Sequence, residues 1–139
     1  MSRMDPARFQ DLFNSLDAEN LHRLEEVYAD HVVFEDPLHR VEGLPALTDY
    51  FRRMYQGVAE IRFDFEVVMQ DDEGAMLTWV MHMRHARLRP GELLSLPGAS
   101  HIRFEERVHY HRDYFDAGAL LYERLPVIGG LIRGIKGRV

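Results

Sequence analysis

The residues best suited to chemistry are concentrated in the stretch 98–116, which holds three histidines, two aspartates and four aromatic rings. His111 and Asp113 are two positions apart, so along a strand both side chains lie on one face. Aromatic surroundings remove water from a carboxylate, which raises its pKa towards neutrality and makes it a competent general acid or base. The stretch therefore predicts one wall of a pocket suited to proton transfer.

A second candidate carboxylate, Asp36, follows the apolar run 31–35 and precedes Pro37. Because proline restricts the residue before it to extended backbone, Asp36 is expected at the end of a strand. Two carboxylates in unequal surroundings can divide the roles of acid and base, with Asp113 as the other member. The alternatives are a turn in which Asp36 caps a backbone amide, and an ion pair between Asp113 and a neighbouring arginine or histidine.

The histidines of this stretch also raise the question of a metal site, because His109 and His111 share a strand face. The chain has no cysteine and no His-Glu-x-x-His spacing, and it lacks a phosphate loop, a dinucleotide fingerprint and a Ser-His-Asp order. We therefore expect neither a metal nor a cofactor. His101, His111 and Ser100 are instead interpreted as wall residues that could donate to a developing oxyanion.

Three helices are predicted to precede most of the strands. Asp5 and Pro6 form a helix start, and apolar residues then recur at helical spacing. A second, short helix is expected over residues 21–28, forming a helical hairpin with the first. A third should cover residues 47–55 and end at Gly57.

From residue 61 the apolar period changes to two, which predicts a strand over 61–70 and a turn at 71–74. The next strand, 76–88, is apolar on both faces at its start and needs cover on each. We expect helices on one face and a second subunit on the other, with the face bearing Trp79 and Met81 or their neighbours packing in a homodimer. After a loop over 89–98, paired strands with a tight turn at 105–106 complete a sheet of four to six strands.

The composition is that of one globular domain. The 139 residues are 46% apolar and 29% charged, and the net charge is −6. An acidic body argues against nucleic acid as a partner. Without an apolar leader or a membrane-spanning run, a cytoplasmic location is expected.

The last part of the chain differs from the rest. Residues 117–139 are apolar, rich in glycine and basic. One interpretation is a segment that lies over the sheet or the pocket. The other is a peripheral contact with anionic lipid or with a partner.

The order of elements resembles that of the cone-shaped α+β proteins similar to nuclear transport factor 2. Residues 28–37, ending in Asp-Pro, resemble a segment of ketosteroid isomerases and SnoaL-like polyketide cyclases. Gly43, Leu47 and Phe51 resemble the loop and helix that follow it, and residues 111–116 are similar to the His-Trp-Asp motif of the cyclases. The resemblance covers roughly residues 7–116, so the domain is taken as residues 1–116 and the tail as 117–139.

The resemblance implies a curved antiparallel sheet packed against three N-terminal helices and enclosing a pocket. Asp36 falls where the isomerases keep their general base, and Asp113 where the cyclases keep their acid/base aspartate. The oxyanion-hole tyrosine and protonated aspartate of the isomerases correspond to Leu12 and Ser100. Losing one such donor typically costs about 10²–10³ in rate, so steroid isomerisation itself is not expected.

We therefore predict a cofactor-independent isomerase, cyclase or hydrolase that acts on a small apolar carbonyl or epoxide compound. The alternatives are a non-catalytic protein that binds a lipid-like or aromatic ligand, and a protein–protein module like nuclear transport factor 2. The predicted catalytic residues are Asp36, Asp113, His101 and His111. The predicted ligand-binding residues are Tyr28, Phe34, Tyr50, Met54, Phe65, Trp79, Ser100 and Phe115.

Overall fold

The computed structural model describes residues 4–86 and 92–118, and within them the chain forms two α-helices, one 3₁₀-helix and six strands. The helices are α1 (Pro6–Ser15), the 3₁₀-helix (Leu21–Glu26) and α2 (Leu44–Tyr55). The strands are β1 (Tyr28–Glu35), β2 (Arg40–Glu42), β3 (Val58–Gln70), β4 (Gly74–His85), β5 (Leu94–Phe104) and β6 (Val108–Phe115). The fold is thus α+β with a six-stranded curved sheet.

Helix α1 begins where the sequence predicts its cap. The Asp5 carboxylate accepts a hydrogen bond of 2.8 Å from the Ala7 amide, and Pro6 occupies the first turn. The buried side chains Phe9, Leu12 and Phe13 then form the apolar stripe that packs against the sheet.

The expected second helix is a 3₁₀-helix of six residues. Asn20 precedes it but provides no side-chain cap, because its Oδ1 accepts from the Asp17 amide and its Nδ2 donates to the Ser15 carbonyl. Tyr28, expected on the stripe of that helix, belongs to β1 instead. The first helix is therefore followed by a short turn of helix and an early strand.

The sheet has the strand order β2-β1-β6-β5-β4-β3. Strands β1 and β6 run parallel, and every other described pair is antiparallel. This order places the last described strand, β6, in the middle of the sheet. As a result Phe34 is the cross-strand neighbour of His111, and Ser100 that of Asp113.

The predicted loop up to residue 98 ends earlier, because Pro97 and Gly98 belong to β5. Proline interrupts a strand when it removes a ladder donor. Strand β6 pairs with β5 only from Gly98 onwards, so Pro97 lies where that neighbour is absent from the pairing. Gly98 is opposite Trp79 on β4, and its missing side chain leaves room for the indole.

The core lies between the helices and the inner face of the sheet. The predicted turns at 71–74 and 105–106 join β3 to β4 and β5 to β6. No helix among the described residues is long and apolar enough to span a membrane. Residues 119–139, nearly all of the predicted tail, lie outside the described residues.

Candidate functional site

A row of hydrogen bonds crosses the inner face of the sheet, with His111 at its centre. The His111 side chain is buried on β6, with 1% of the residue exposed. Its Nδ1 lies 2.7 Å from the Tyr28 hydroxyl on β1, and its Nε2 lies 2.6 Å from Asp113 Oδ1. Rings of Phe9 and Phe34 pack against the imidazole edge to face, at centroid distances of 5.2 and 4.9 Å. The imidazole is therefore held on both nitrogens and on its sides.

Asp113 is the next member of the row. Its Oδ1 accepts a second hydrogen bond, of 2.5 Å, from the Ser100 hydroxyl on β5. Ser100 Oγ in turn accepts from Trp79 Nε1 on β4 at 2.9 Å. The row thus spans four strands, and it uses one carboxylate oxygen of Asp113. The other, Oδ2, accepts no hydrogen bond from the described residues.

The positions of the protons in this row follow from the available acceptors. Burial raises the pKa of Tyr28 well above its ordinary value, and the nearby Asp113 charge raises it further, so the hydroxyl keeps its proton. The His111 Nδ1 atom is the acceptor within reach of that hydroxyl among the described residues. With Nδ1 facing that hydroxyl, the other ring nitrogen, Nε2, donates its proton to Asp113 Oδ1.

A small cavity of about 80 Å³ lies between this row, the two α-helices and the sheet. Its polar lining consists of Ser100, His111 and Asp113, and Asp113 has 21% of its side chain exposed. The remaining lining residues are apolar or aromatic: Phe9, Phe13, Phe51, Met54, Tyr55, Ile61, Phe63, Phe65, Trp79, Met81, Leu96 and Phe115. The carboxylate therefore faces a mainly apolar space.

The cavity brings together several residues singled out in the sequence. Asp113 and His111, from the predicted catalytic set, both line it. So do five predicted ligand-binding residues: Met54, Phe65, Trp79, Ser100 and Phe115. The other three, Tyr28, Phe34 and Tyr50, are buried in the core behind or beside the lining.

Asp36 lies outside this cavity lining. Its Oδ1 accepts from the backbone amides of Leu38 and His39, each at 2.8 Å, and its Oδ2 accepts from the Tyr50 hydroxyl. Burial raises the pKa of Asp36, but hydrogen bonds from His39, Tyr50 and the Leu38 amide outweigh it and lower the pKa overall. Asp36 is thus the turn residue that the sequence allowed as an alternative, and its carboxylate caps backbone amides in the bend between β1 and β2.

His101 lies on the outer face of the sheet, away from Ser100 and Asp113. Its ring packs edge to face on Tyr110 at 5.7 Å, and partial burial, with a contribution from Arg103, lowers its pKa. The parity of the strand explains this position, because adjacent residues on β5 point to opposite faces. No group of three or more histidine, cysteine, aspartate or glutamate residues in the described chain is arranged to hold a metal ion.

Trp79 and Met81 face the cavity, so the face on which we expected a partner is turned inwards. The opposite face of β4 carries Met76, Thr78 and Val80.

Sequence reasoning missed several lining residues. Phe63 alternates with Phe65 and shares its face, and Phe9 and Phe13 belong to the predicted stripe of α1, so the signal was present but indicated only burial. The contact between Tyr28 and His111 joins residues that are 83 positions apart, and no local pattern announces it.

The fold and this interior polar row define an NTF2-like α+β protein with a carboxylate facing an apolar cavity. A model of the SnoaL-like domain matches residues 9–108, which is most of the chain. The chain therefore belongs to the family of SnoaL-like domains. A search of curated proteins found no significant match.

Solved structures with the same fold include a protein with a ketosteroid isomerase-like fold from Catenulispora acidiphila, in complex with trimethylamine. It has a TM-score of 0.71 and 12% identity, covering 88% of this chain and 94% of that one. A protein from Jannaschia sp. CCS1 assigned to the SnoaL-like polyketide cyclases has a TM-score of 0.69 and 13% identity, covering 83% and 87%. An NTF2-like protein from Exiguobacterium sp. 255-15 has a TM-score of 0.65 and 16% identity, covering 81% and 98%. At these identities the likeness establishes the fold alone.

Proposed function

We propose that this protein is a cofactor-independent acid/base enzyme of the isomerase, cyclase or hydrolase type. Its substrate is a small, largely apolar carbonyl or epoxide compound held inside the cone formed by the curved sheet and the helices. The observation that carries the proposal is Asp113, whose Oδ1 is held by His111 and Ser100 while Oδ2 accepts no hydrogen bond from the described part of the chain.

Asp113 Oδ2 is the atom that takes the substrate proton. The two donors on Oδ1 fix the orientation of the carboxylate, so the base does not have to be organised during the reaction. The apolar lining excludes water that would compete for the proton. Once protonated, Asp113 returns the proton to another atom of the same substrate or to a leaving oxygen.

Steroid isomerisation is not the proposed reaction. Leu12 has no hydrogen-bond donor in its side chain, and Ser100 donates its proton to Asp113. The oxyanion donors of the ketosteroid isomerases are therefore not reproduced by these two residues. The proposal is better suited to substrates that stabilise their own developing charge, or to epoxides in which Asp113 removes a proton from the carbon next to the ring and returns it to the oxygen as the C–O bond breaks.

The experiment is a screen by NMR of small ketones and epoxides in deuterated buffer, followed by the same assay on Asp113→Asn. We expect deuterium incorporation or ring opening in the wild type and a loss of about 10²-fold or more in the variant, which is the size typical of a general base. Glu66→Gln, an exposed carboxylate on β3, is the matched control and should retain the wild-type rate. An Asp113→Asn variant that folds and keeps the full rate would exclude this mechanism.

A second candidate is a non-catalytic protein that binds a lipid-like or aromatic ligand in the same cavity. The hydrogen bonds within the polar row favour this candidate. Ser100 and His111 both donate to Asp113, so neither has a proton left to donate to a substrate oxyanion. Ligand binding that survives Asp113→Asn, without turnover in the wild type, would support it. Peripheral attachment through the tail forms part of this candidate, and weaker binding to anionic liposomes after deletion of residues 120–139 would support that part.

We also propose a homodimer that forms through the outer face of the sheet. A row of Thr78, Ala99 and Tyr114 crosses β4, β5 and β6 there. Tyr114 is 46% exposed. Strands with apolar side chains on both faces require cover on both, and the described helices pack on the inner face.

A further inference from the structure

The described lining of the cavity includes an acidic side chain and no strongly basic one. Among its fifteen described lining residues Asp113 is the one carboxylate, and none of the fifteen is lysine or arginine. The His111 imidazole bonds to Oδ1 of Asp113, and Oδ2 accepts no hydrogen bond from the described residues. An ionised group next to an apolar space is costly unless it is paired. The part of Asp113 that faces the cavity therefore favours a positively charged ligand.

The aromatic lining also favours a positively charged ligand. Eight of the fifteen lining residues carry a phenyl, phenol or indole ring, including the indole of Trp79. The faces of such rings attract cations, and the attraction is strongest for tryptophan and for sites with little water. A neutral apolar molecule gains only burial in this space, whereas an organic cation gains burial together with attraction to the rings.

The size of the cavity limits the group that fits. Its volume is about 80 Å³. A cavity of about 150 Å³ accommodates benzene, so the enclosed space here suits roughly three heavy atoms of a branched group. Met54, which is 47% exposed, lies at its solvent edge, so a longer ligand can extend outwards from that point.

We propose that the cavity selects small alkylammonium groups over their neutral counterparts, with Asp113 Oδ2 as the anionic partner. The inference rests on the cavity being the ligand site of the proposed function, and it specifies the charge of the ligand. An ammonium N–H that reaches Oδ2 forms a charge-assisted hydrogen bond, which is about twice as strong as a neutral one. A fully alkylated ammonium lacks that hydrogen bond but keeps the attraction to the carboxylate and to the rings.

The test compares tert-butylammonium with tert-butanol by isothermal titration calorimetry at one fixed ionic strength. The two probes share their shape and differ in charge. We expect the cation to bind at least about tenfold more tightly. Tetramethylammonium should bind less tightly than tert-butylammonium but more tightly than tert-butanol.

The variants identify the source of the preference. Asp113→Asn should abolish the difference between the two tert-butyl probes, whereas Glu66→Gln, which removes an exposed carboxylate outside the cavity, should retain it. Circular dichroism of each variant establishes that it is folded. Equal affinities for the cation and the alcohol, no binding of either, or a preference that survives Asp113→Asn would each overturn the inference.

Failure here is distinguishable from failure of the proposed function. Proton exchange on neutral ketones that is lost in Asp113→Asn would support the acid/base enzyme, even if the cation bound no more tightly than the alcohol. Conversely, selective cation binding without turnover would support the inference about the charge of the ligand and exclude the proposed enzymatic activity.

Discussion

His111 and Asp113 are joined within a single strand, by a hydrogen bond of 2.6 Å from His111 Nε2 to Asp113 Oδ1. Residues two apart on a strand share a face, so this pair needs no long-range contact to meet. The other nitrogen of His111 is held by Tyr28 from the neighbouring parallel strand. The carboxylate is therefore oriented by an imidazole that is itself fixed.

Replacing Tyr28 with phenylalanine should destabilise the fold and loosen the polar row. The substitution leaves the buried His111 Nδ1 without its donor, which costs about 1–3 kcal/mol in free energy of unfolding. Urea denaturation measures this loss. A double-mutant cycle with His111→Phe isolates the interaction, and a coupling energy near zero would contradict the hydrogen bond as described.

Replacing Asp36 with alanine should cost stability and leave cavity binding intact. The side chain is only 3% exposed and holds two backbone amides and the Tyr50 hydroxyl. We expect a loss of about 1–3 kcal/mol in urea denaturation. A loss of ligand binding in the folded variant would show that Asp36 acts in the site after all.

Asp36 also predicts the sign of a pH effect. The folded state lowers the pKa of this carboxyl group below its ordinary value, so ionisation stabilises the fold. That stabilisation is fully present above the unfolded pKa of about 4 and is lost as the pH falls through the lower folded value. The stability gap between the wild type and Asp36→Ala should therefore narrow below pH of about 4 in a series of urea titrations. A gap that widens on acidification would reverse the assigned shift.

Replacing Gly98 with alanine should displace the Trp79 indole. A Cβ atom at this position would lie 2.3 Å from Trp79 Cη2, which no packed structure tolerates. We expect a loss of about 1–3 kcal/mol from overpacking and a shifted emission spectrum. Trp79 is the single tryptophan of the chain, so its fluorescence reports this site directly. Ser95→Ala on the same strand is the control, and an unchanged spectrum in Gly98→Ala would contradict the contact.

Adding a charge to the outer face should disrupt the proposed homodimer. Thr78 is exposed on that face, so Thr78→Arg should fold normally and elute as a monomer in size-exclusion chromatography with light scattering. The wild type should have twice the mass of one chain. Asp11→Arg on the exposed side of α1 is the control. A wild type that elutes as a monomer would contradict the proposed homodimer.

Much of the architecture follows from patterns that the sequence carries locally. The cap at Asp5, the alternation through β3 and the turn at 105–106 are all short-range features, and each specifies its own element. The strand β2 was not foreseen, because its three residues are too few to show a period.

The candidate site was predictable only in part. Asp113 and His111 are close in sequence, so the alternation of a strand was sufficient to place them together. The separation of Asp36 from them depends on how the bend after β1 folds back onto Tyr50, which is a tertiary contact. Likewise, the parity of β5 turns Ser100 inwards and His101 outwards, and that parity depends on the register with β4.

Because β6 lies in the middle of the sheet, the site forms only when the whole sheet folds. Without this strand the sheet separates into the pair β2-β1 and the triplet β5-β4-β3, since β6 joins β1 to β5. A nascent chain must therefore extend beyond residue 115 before its two parts can unite, and contacts over such long separations slow folding. The strand that completes the sheet is also the strand that carries His111 and Asp113. Cooperative folding and acquisition of the site are thus one event, and a truncated chain that ends before β6 has neither.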